Sequence, residues 1–295
     1  MIVEADNKDN PFCETIEGDC LKWLESYSGE KVHLTFVDPP FNQGKEYRHF
    51  NDDLPRKEYW AWLAKILKRI NEITIPGGAV YFMQREKNTE EVLKTLRVSG
   101  WEFQNLIIWK KKTSAIPCDI RYAKQYQIIV FATKGKKPRI FNKLRINPPL
   151  PPGYKYDREN GLYLTDVWDD IRELTSGYFA GDEAIRDSAG KRIHIQQSPI
   201  ALLLRIILSS TKPGDIVLDP FAGSGTTMVV AGQLGRSAYG IEIDPVNVEI
   251  IQRRINSIRE ADDISRFHSY YAHTKDLDGI WLVKASPLFN KISSE

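Results

Sequence analysis

Two apolar runs in this chain each end on a short peptide that regular structure cannot continue. Residues 32–37 lead into Asp38-Pro39-Pro40-Phe41. Residues 216–218 lead into Asp219-Pro220-Phe221-Ala222-Gly223-Ser224-Gly225-Thr226-Thr227. Short continuous apolar runs read as strands buried on both faces, the habit of a parallel sheet. Proline cannot donate to a sheet ladder, and glycine lets the backbone turn tightly, so both strands stop where these peptides begin. Ligands of open parallel sheets gather at the carboxyl ends of the strands. The pair therefore predicts one α/β sheet with its chemistry at one edge, assembled from segments far apart in sequence.

The rest of the chain supports that class. Residues 57–73 place Trp60, Leu63, Ala64, Leu67 and Ile70 at helical spacing, and 89–98, 199–209, 226–234 and 246–258 also read as helices. Strands are expected at 12–17, 79–83, 104–109, 127–132 and 237–243, with Pro76-Gly77-Gly78 as a turn into the second of these. Residues 20–27 suit a short helix, and polar 42–53 a mobile loop. Alternating strands and helices argue for a doubly wound α/β sheet. From 141 to 195 periodicity fades into prolines and isolated aromatics, as expected of an inserted, loop-rich subdomain. The predicted units are 1–140 and 196–260 as the two halves of one domain, 141–195 as the insertion, and 261–295 as a tail with no assigned role.

Bulk properties narrow the class. The chain has 295 residues, 27% charged and 42% hydrophobic, the range of a soluble globular protein. Cys13, Cys20 and Cys118 are too scattered for a disulfide framework, and no CxxC pair suggests a metal site. The longest apolar stretch, 200–208, is broken by Arg205 and too short to span a bilayer. The first residues are acidic and polar, unlike a signal peptide. A cytoplasmic protein without membrane contact is the expectation.

The glycine-rich peptide suits a ligand's close approach, with the following helix aiming backbone N–H groups at any carboxylate or phosphate there. A dinucleotide fingerprint would need glycine where Met228 stands, and a phosphate-binding P-loop needs a lysine that is missing. Glu242, near the end of the next strand, suits two ribose hydroxyls. A surface acid there, and a plain helix cap for Asp244, are the alternatives. The first peptide offers Asp38 and a proline carbonyl to an exocyclic amine, whose lone pair is otherwise delocalised into its ring, and Phe41 as a flat face for a base. On its own, Asp-Pro is also a common strand-ending turn.

Taken together and in this order, the two peptides resemble the permuted β group of amino-group DNA methyltransferases. The resemblance spans about 12–258. It implies a Rossmann-like methyltransferase fold, a seven-stranded mixed sheet with one antiparallel strand, in which the family's third strand comes first. It implies S-adenosyl-L-methionine as cofactor, lined by Asp19, Cys20, Gln196, Asp219, Phe221, Gly223, Ser224, Gly225, Thr226 and Glu242, and a catalytic set of Asp38, Pro39, Pro40 and Phe41. Where many relatives carry Thr-Gln-Lys-Pro, this chain has Gln196-Gln197-Ser198-Pro199, with serine in place of lysine. Tyrosine is usual at the position of Phe41. An initial aspartate is more typical of adenine-N6 enzymes; cytosine-N4 is the alternative.

Residues 110–145 carry Lys110, Lys111, Lys112, Arg121, Lys124, Lys134, Lys136, Lys137, Arg139, Lys143 and Arg145 against one acid, Asp119. So one-signed a stretch favours a polyanion. With the resemblance it implies double-stranded DNA as partner, with Lys110, Lys111, Lys112, Arg121, Lys124, Lys136, Lys137 and Arg139 on phosphates. The insertion takes the place of the family's target-recognition region, where Tyr154, Tyr156, Arg158, Trp168 and Arg172 are candidates for closer contact. The resemblance also admits a cognate restriction endonuclease and a homodimer as partners. Cys118 lacks the neighbours of a ring-carbon methylase's nucleophile. RNA or a protein amide as acceptor, or an inactive nucleic-acid-binding module, are the remaining rivals.

Overall fold

The computed structural model describes residues 11–112, 117–150, 152–153, 158–174, 181–187, 189–193 and 196–281. Among the described residues, ten strands and seven helices follow in chain order: β1 Cys13–Glu17, α1 Cys20–Ser26, β2 Val32–Val37, α2 Arg56–Ile73, β3 Thr74–Arg85, α3 Thr89–Val98, β4 Glu102–Lys110, β5 Tyr126–Thr133, β6 Arg145–Ile146, β7 Leu162–Tyr163, β8 Val167–Trp168, α4 Ile200–Ser210, β9 Ile216–Asp219, α5 Thr226–Gln233, β10 Ser237–Glu242, α6 Pro245–Asn256 and α7 Leu277–Ile280.

The main sheet has the order β1-β10-β9-β2-β3-β5-β4-β8. Every neighbouring pair is parallel except those of β5, which runs antiparallel to β3 and β4. The single antiparallel strand agrees with expectation; the strand number does not. Eight strands form because Val167 and Trp168, inside the insertion, pair with Ile108 and Trp109 and extend the sheet. The permutation is visible in the ladder: the first strand pairs with the last, Glu17 opposite Glu242.

Helices cover both faces, as a parallel sheet requires. α2 buries Tyr59, Trp60, Leu63, Ile66, Leu67, Ile70 and Ile73 on one stripe, against a core that includes Val37, Phe82, Val130 and Leu218. On the other face α4 and α5 are apolar almost all round and pack with Leu34, Tyr81, Val217 and Ile251. The chain does not turn before β3 at Pro76-Gly77-Gly78. These residues form a bulge within the strand, so Val32 pairs with Thr74 and Leu34 with Ala79.

The insertion is tied to the core by buried polar groups. The Arg205 guanidinium, on α4, pairs with Asp170, which also accepts from the Tyr270 hydroxyl at 2.5 Å. The Trp109 indole donates to the Ile171 carbonyl at 3.0 Å. The tail is likewise employed: 3-10 turns at Glu260–Asp262 and Ile264–Tyr271 lie against α4, α5 and α6, with Asp262 and Tyr271 buried.

Candidate active site

Four adjacent strands deliver the site at their carboxyl ends. β1 runs into Gly18-Asp19, β10 ends on Glu242, β9 on Asp219, and β2 runs into Asp38. Because β1, β10, β9 and β2 are neighbours in that order, one edge of the sheet gathers all four.

A cavity at this edge is bordered by Gly18, Asp19, Cys20, Asp38, Pro39, Pro40, Phe41, Gln196, Asp219, Phe221, Gly223, Ser224, Thr226 and Glu242. Gly225 is the one expected cofactor residue that does not border it. It caps α5 at φ 79°, and a Cβ there would lie 2.8 Å from Ile251. Its part is to let the loop turn while α6 packs beneath. Asp19 borders the cavity but also caps α1, accepting from the Lys22 amide at 3.0 Å.

The Glu242 carboxylate is held by backbone. One oxygen accepts from the Gly223 amide at 2.8 Å, the other from the Asp244 amide at 2.9 Å. Burial raises its pKa. Oε2 keeps a second lone pair for a hydroxyl, while Oε1 is also approached by the Asn247 carboxamide at 3.4 Å. Asp219 is buried, accepting from the Phe221 amide at 3.0 Å and from the Thr227 hydroxyl; burial pushes its pKa up to about 6. A Cβ on Gly18 would meet nothing within 4 Å, so the backbone there leaves room for a ring. An acid set for a diol, a glycine turn and an open floor fit a nucleoside-bearing cofactor.

Asp38 stands where this cavity meets a second one of about 270 Å³, bordered by Asp38, Phe41, Met83, Trp109, Lys111, Gln127, Glu173, Arg192, Gln196 and Ser198. Its Oδ2 lies 3.3 Å from the Ser198 hydroxyl. Burial, then the neighbouring Asp219, push the Asp38 carboxyl up to about 8, while Ser198, Lys111 and Lys45 oppose the rise. The Pro40 carbonyl accepts from the Tyr59 hydroxyl at 2.6 Å. Among the described residues no donor meets the Pro39 carbonyl.

The basic stretch divides. Lys110, Lys112 and Arg121 are exposed at the site's edge of the sheet, and Lys124 pairs with Glu86 at 2.6 Å. Lys111 is turned inward into the second cavity, its ammonium 3.7 Å from the Trp109 ring centre. Burial lowers its pKa to about 8 against the pull of Glu173 and Asp38. Lys136, Lys137 and Arg139 do not join the site. β5 runs antiparallel, so Tyr126 lies opposite Lys110 near the site and Thr133 lies opposite Ala79 at the far edge. These three residues follow Thr133, and Arg139 pairs there with Asp215. Of the insertion's candidates, Trp168 is buried beside Arg205, Arg158 donates to the Pro148 carbonyl at 2.8 Å, and Tyr154 and Tyr156 lie outside the described residues.

A family model described as DNA methylase, of the N6/N4 type, matches residues 32–253. The chain belongs to the DNA methylase family. The DNA adenine methyltransferase YhdJ of Escherichia coli is 31% identical to the methylase over 260 residues, 82% of each chain. Among solved structures, M1.HpyAVI in complex with SAM covers 83% of the methylase and 100% of its own chain at TM-score 0.58 and 24% identity. The cytosine-N4-specific PvuII DNA methyltransferase covers 89% and 92% at TM-score 0.61 and 20% identity. Both share the fold.

Sequence reading missed several parts of the methylase's site. The segment 42–53 is stitched down rather than open: the buried Asp52 carboxylate accepts from the amides of Asn42, Gln43 and Lys45 at 2.7, 3.0 and 3.1 Å. Asn42 in turn grips Leu54 at both its amide and its carbonyl. This folds Tyr47, His49 and Phe50 over the cofactor cavity, with Phe50 on Trp62 and Trp62 on Phe221. Asn and Asp are side chains that organise turns, and aromatics in a polar stretch were the available signal. Nothing in the pattern marked Arg254, which donates to the Ser224 carbonyl from α6.

Proposed function

We propose that this methylase transfers a methyl group from S-adenosylmethionine to the exocyclic N6 of adenine in duplex DNA, the base being turned out of the helix to reach Asp38. The observation that carries the reading is the position of Asp38 at the meeting point of the two cavities, one fitted to a nucleoside and the other walled by Phe41 and Trp109. Similarity to an adenine methyltransferase over 82% of the chain supports the choice of base.

Bound in the first cavity, S-adenosylmethionine supplies an electrophilic methyl group on sulfur. Glu242 holds its hydroxyls, and the Gly223 turn admits its polar tail. Asp38, once ionised, accepts one hydrogen of the target amine, and the unclaimed Pro39 carbonyl accepts the other. Both pull the nitrogen toward a pyramidal, nucleophilic shape, and the carboxylate stabilises the positive charge that develops. Asp38 then carries the proton the product releases. Phe41 and Trp109 give the extruded base apolar walls. Lys110, Lys112 and Arg121 contact phosphates around the opening. Transfer to cytosine N4 is the second reading, because Asp38 and Pro39 recognise an amine, not a ring.

Duplex DNA of random sequence, incubated with the protein and methyl-labelled cofactor and digested to nucleosides, tests this. Label in N6-methyladenine is expected. Label in N4-methylcytosine would move the assignment to the second reading, and no labelled nucleoside would overturn both.

A further inference from the structure

The second cavity holds a polar group that the proposed methyl transfer does not use. Gln127, at the start of β5, lies opposite Arg85 and Trp109 in register, on the sheet face that carries Met83 and Ile129 deeper in. It borders the cavity together with Asp38. It is half-buried, and its carboxamide has no hydrogen-bond partner among the described residues, unlike Gln84, Gln104, Gln197 and Gln233, each of which is engaged. A carboxamide left open beside a carboxylate, over apolar walls, is the arrangement of a base-reading pocket.

The target amine is always next to a ring nitrogen acceptor: N1 in adenine, N3 in cytosine. Asp38, in the ionised form that takes part in transfer, can only accept, so it takes the amine and leaves the ring nitrogen needing a donor. Of the bordering side chains that could donate, Ser198 faces Asp38, the Gln197 carboxamide donates to the Glu183 carbonyl, Gln196 is exposed and shared with the first cavity, and Arg192 is charged as Lys111 is, which leaves Lys111 and Gln127 to compare. Lys111 carries a charge, and a cation on the ring nitrogen would oppose the positive charge that builds on the amine during transfer. It is also drawn toward Glu173 and seated over Trp109. Gln127 donates without adding charge.

We propose that Gln127 reads the ring nitrogen beside the target amine, its Nε2 donating to N1 of the extruded adenine, and so selects bases that present an amine next to a bare ring nitrogen. This rests on the reading of the protein as a DNA amino-methyltransferase. With the same edge turned to Asp38, guanine and thymine present a carbonyl oxygen in place of the amine and N–H at the neighbouring ring position, which would face the same donor and be rejected.

The test pairs the side chain with its atom on the base. Q127L and Q127E are compared with wild type on duplexes carrying adenine or 1-deazaadenine at the methylated position, found by mapping the labelled site. If the labelled nucleoside is N4-methylcytosine, 3-deazacytosine replaces it. Cofactor affinity, measured by titration calorimetry, checks that each variant is folded. Wild type should lose ~10-fold or more in kcat/KM on the deaza duplex. Q127L should be slowed on adenine by a similar factor and lose little more on the deaza base. Q127E, which keeps the length but not the donor, should follow Q127L. An equal deaza penalty in wild type and Q127L, with cofactor binding intact, would overturn the proposal. Failure of wild type to methylate DNA at all would instead remove the reading it rests on, and the proposal with it.

Discussion

The Tyr59 hydroxyl donates to the Pro40 carbonyl at 2.6 Å and accepts from the Gln84 amide at 3.0 Å. Of the two proline carbonyls after Asp38, one is thus committed to the scaffold and the other meets no donor among the described residues. Tyr59 sits on the buried stripe of α2, so helix packing, not the tetrapeptide alone, sets the angle of the catalytic loop. Replacing Tyr59 with phenylalanine removes one donor and one acceptor while keeping the ring. Stability should fall by about 1 kcal/mol, and single-turnover methyl transfer should slow by roughly 10-fold with cofactor affinity unchanged. Chemical denaturation and rapid-quench kinetics measure the two effects; unaltered transfer would detach Tyr59 from the chemistry.

Asp38 makes activity and stability respond to pH in opposite directions. In the proposed transfer only the ionised carboxylate accepts the amine's hydrogens, so single-turnover transfer should climb with pH and level off above about 8. For stability, the folded pKa lies above the unfolded one. Between roughly pH 4 and about 8 the folded state therefore holds a proton that the unfolded chain has released, and stability declines as pH rises. Asp38→Asn should abolish transfer and melt higher than wild type, with a gap that is absent near pH 4 and widens toward 8. A constant gap across that range in thermal scans would contradict the proton-holding carboxyl.

Arg254 links the glycine loop to the tail. It donates to the Ser224 carbonyl and pairs with the fully buried Asp262, which Arg259 also grips. Arg254→Met would leave Asp262 one partner and the loop carbonyl none. The loss should be about 3 kcal/mol, the lower end for a broken buried pair because Arg259 remains. Cofactor should bind more weakly as well, since the carbonyl belongs to the loop that borders its cavity. Denaturation and cofactor titration report each; a destabilised variant with wild-type cofactor affinity would mean the pair supports the fold alone.

The two ends of the basic stretch should behave differently toward DNA. K136Q/K137Q alters charges at the far edge of the sheet and should leave both affinity and its salt dependence as in wild type. K110Q/K112Q alters charges beside the site. It should weaken binding on all sequences alike and flatten the salt slope by roughly 1 to 2 units. Fluorescence anisotropy over a range of salt concentrations separates them, and a comparable loss in K136Q/K137Q would show that DNA reaches around the molecule.

The fold class, the shared edge of the two motifs and most of the cavity border were legible in the sequence because they depend on local signals. Apolar runs mark buried strands, proline and glycine mark their ends, and a parallel sheet brings those ends together whatever their separation along the chain. Periodicity could not show which end of a strand faces the site. The lysines of 110–145 form one cluster in sequence, yet β5 reverses direction and carries Lys136, Lys137 and Arg139 away from Asp38, a fact fixed by ladder pairing alone. Nor could it show partners. Ser198 against Asp38, Tyr59 beneath Pro40, Asp52 closing the loop and Arg254 on Asp262 are contacts across 160, 19, 10 and 8 residues. A side chain's hydrogen-bond partner is settled by packing in three dimensions, where burial makes an unmet polar group costly. Strand patterning therefore specified which strand ends border the cavities, and the packed tertiary structure decided which of their polar atoms are bonded within the protein.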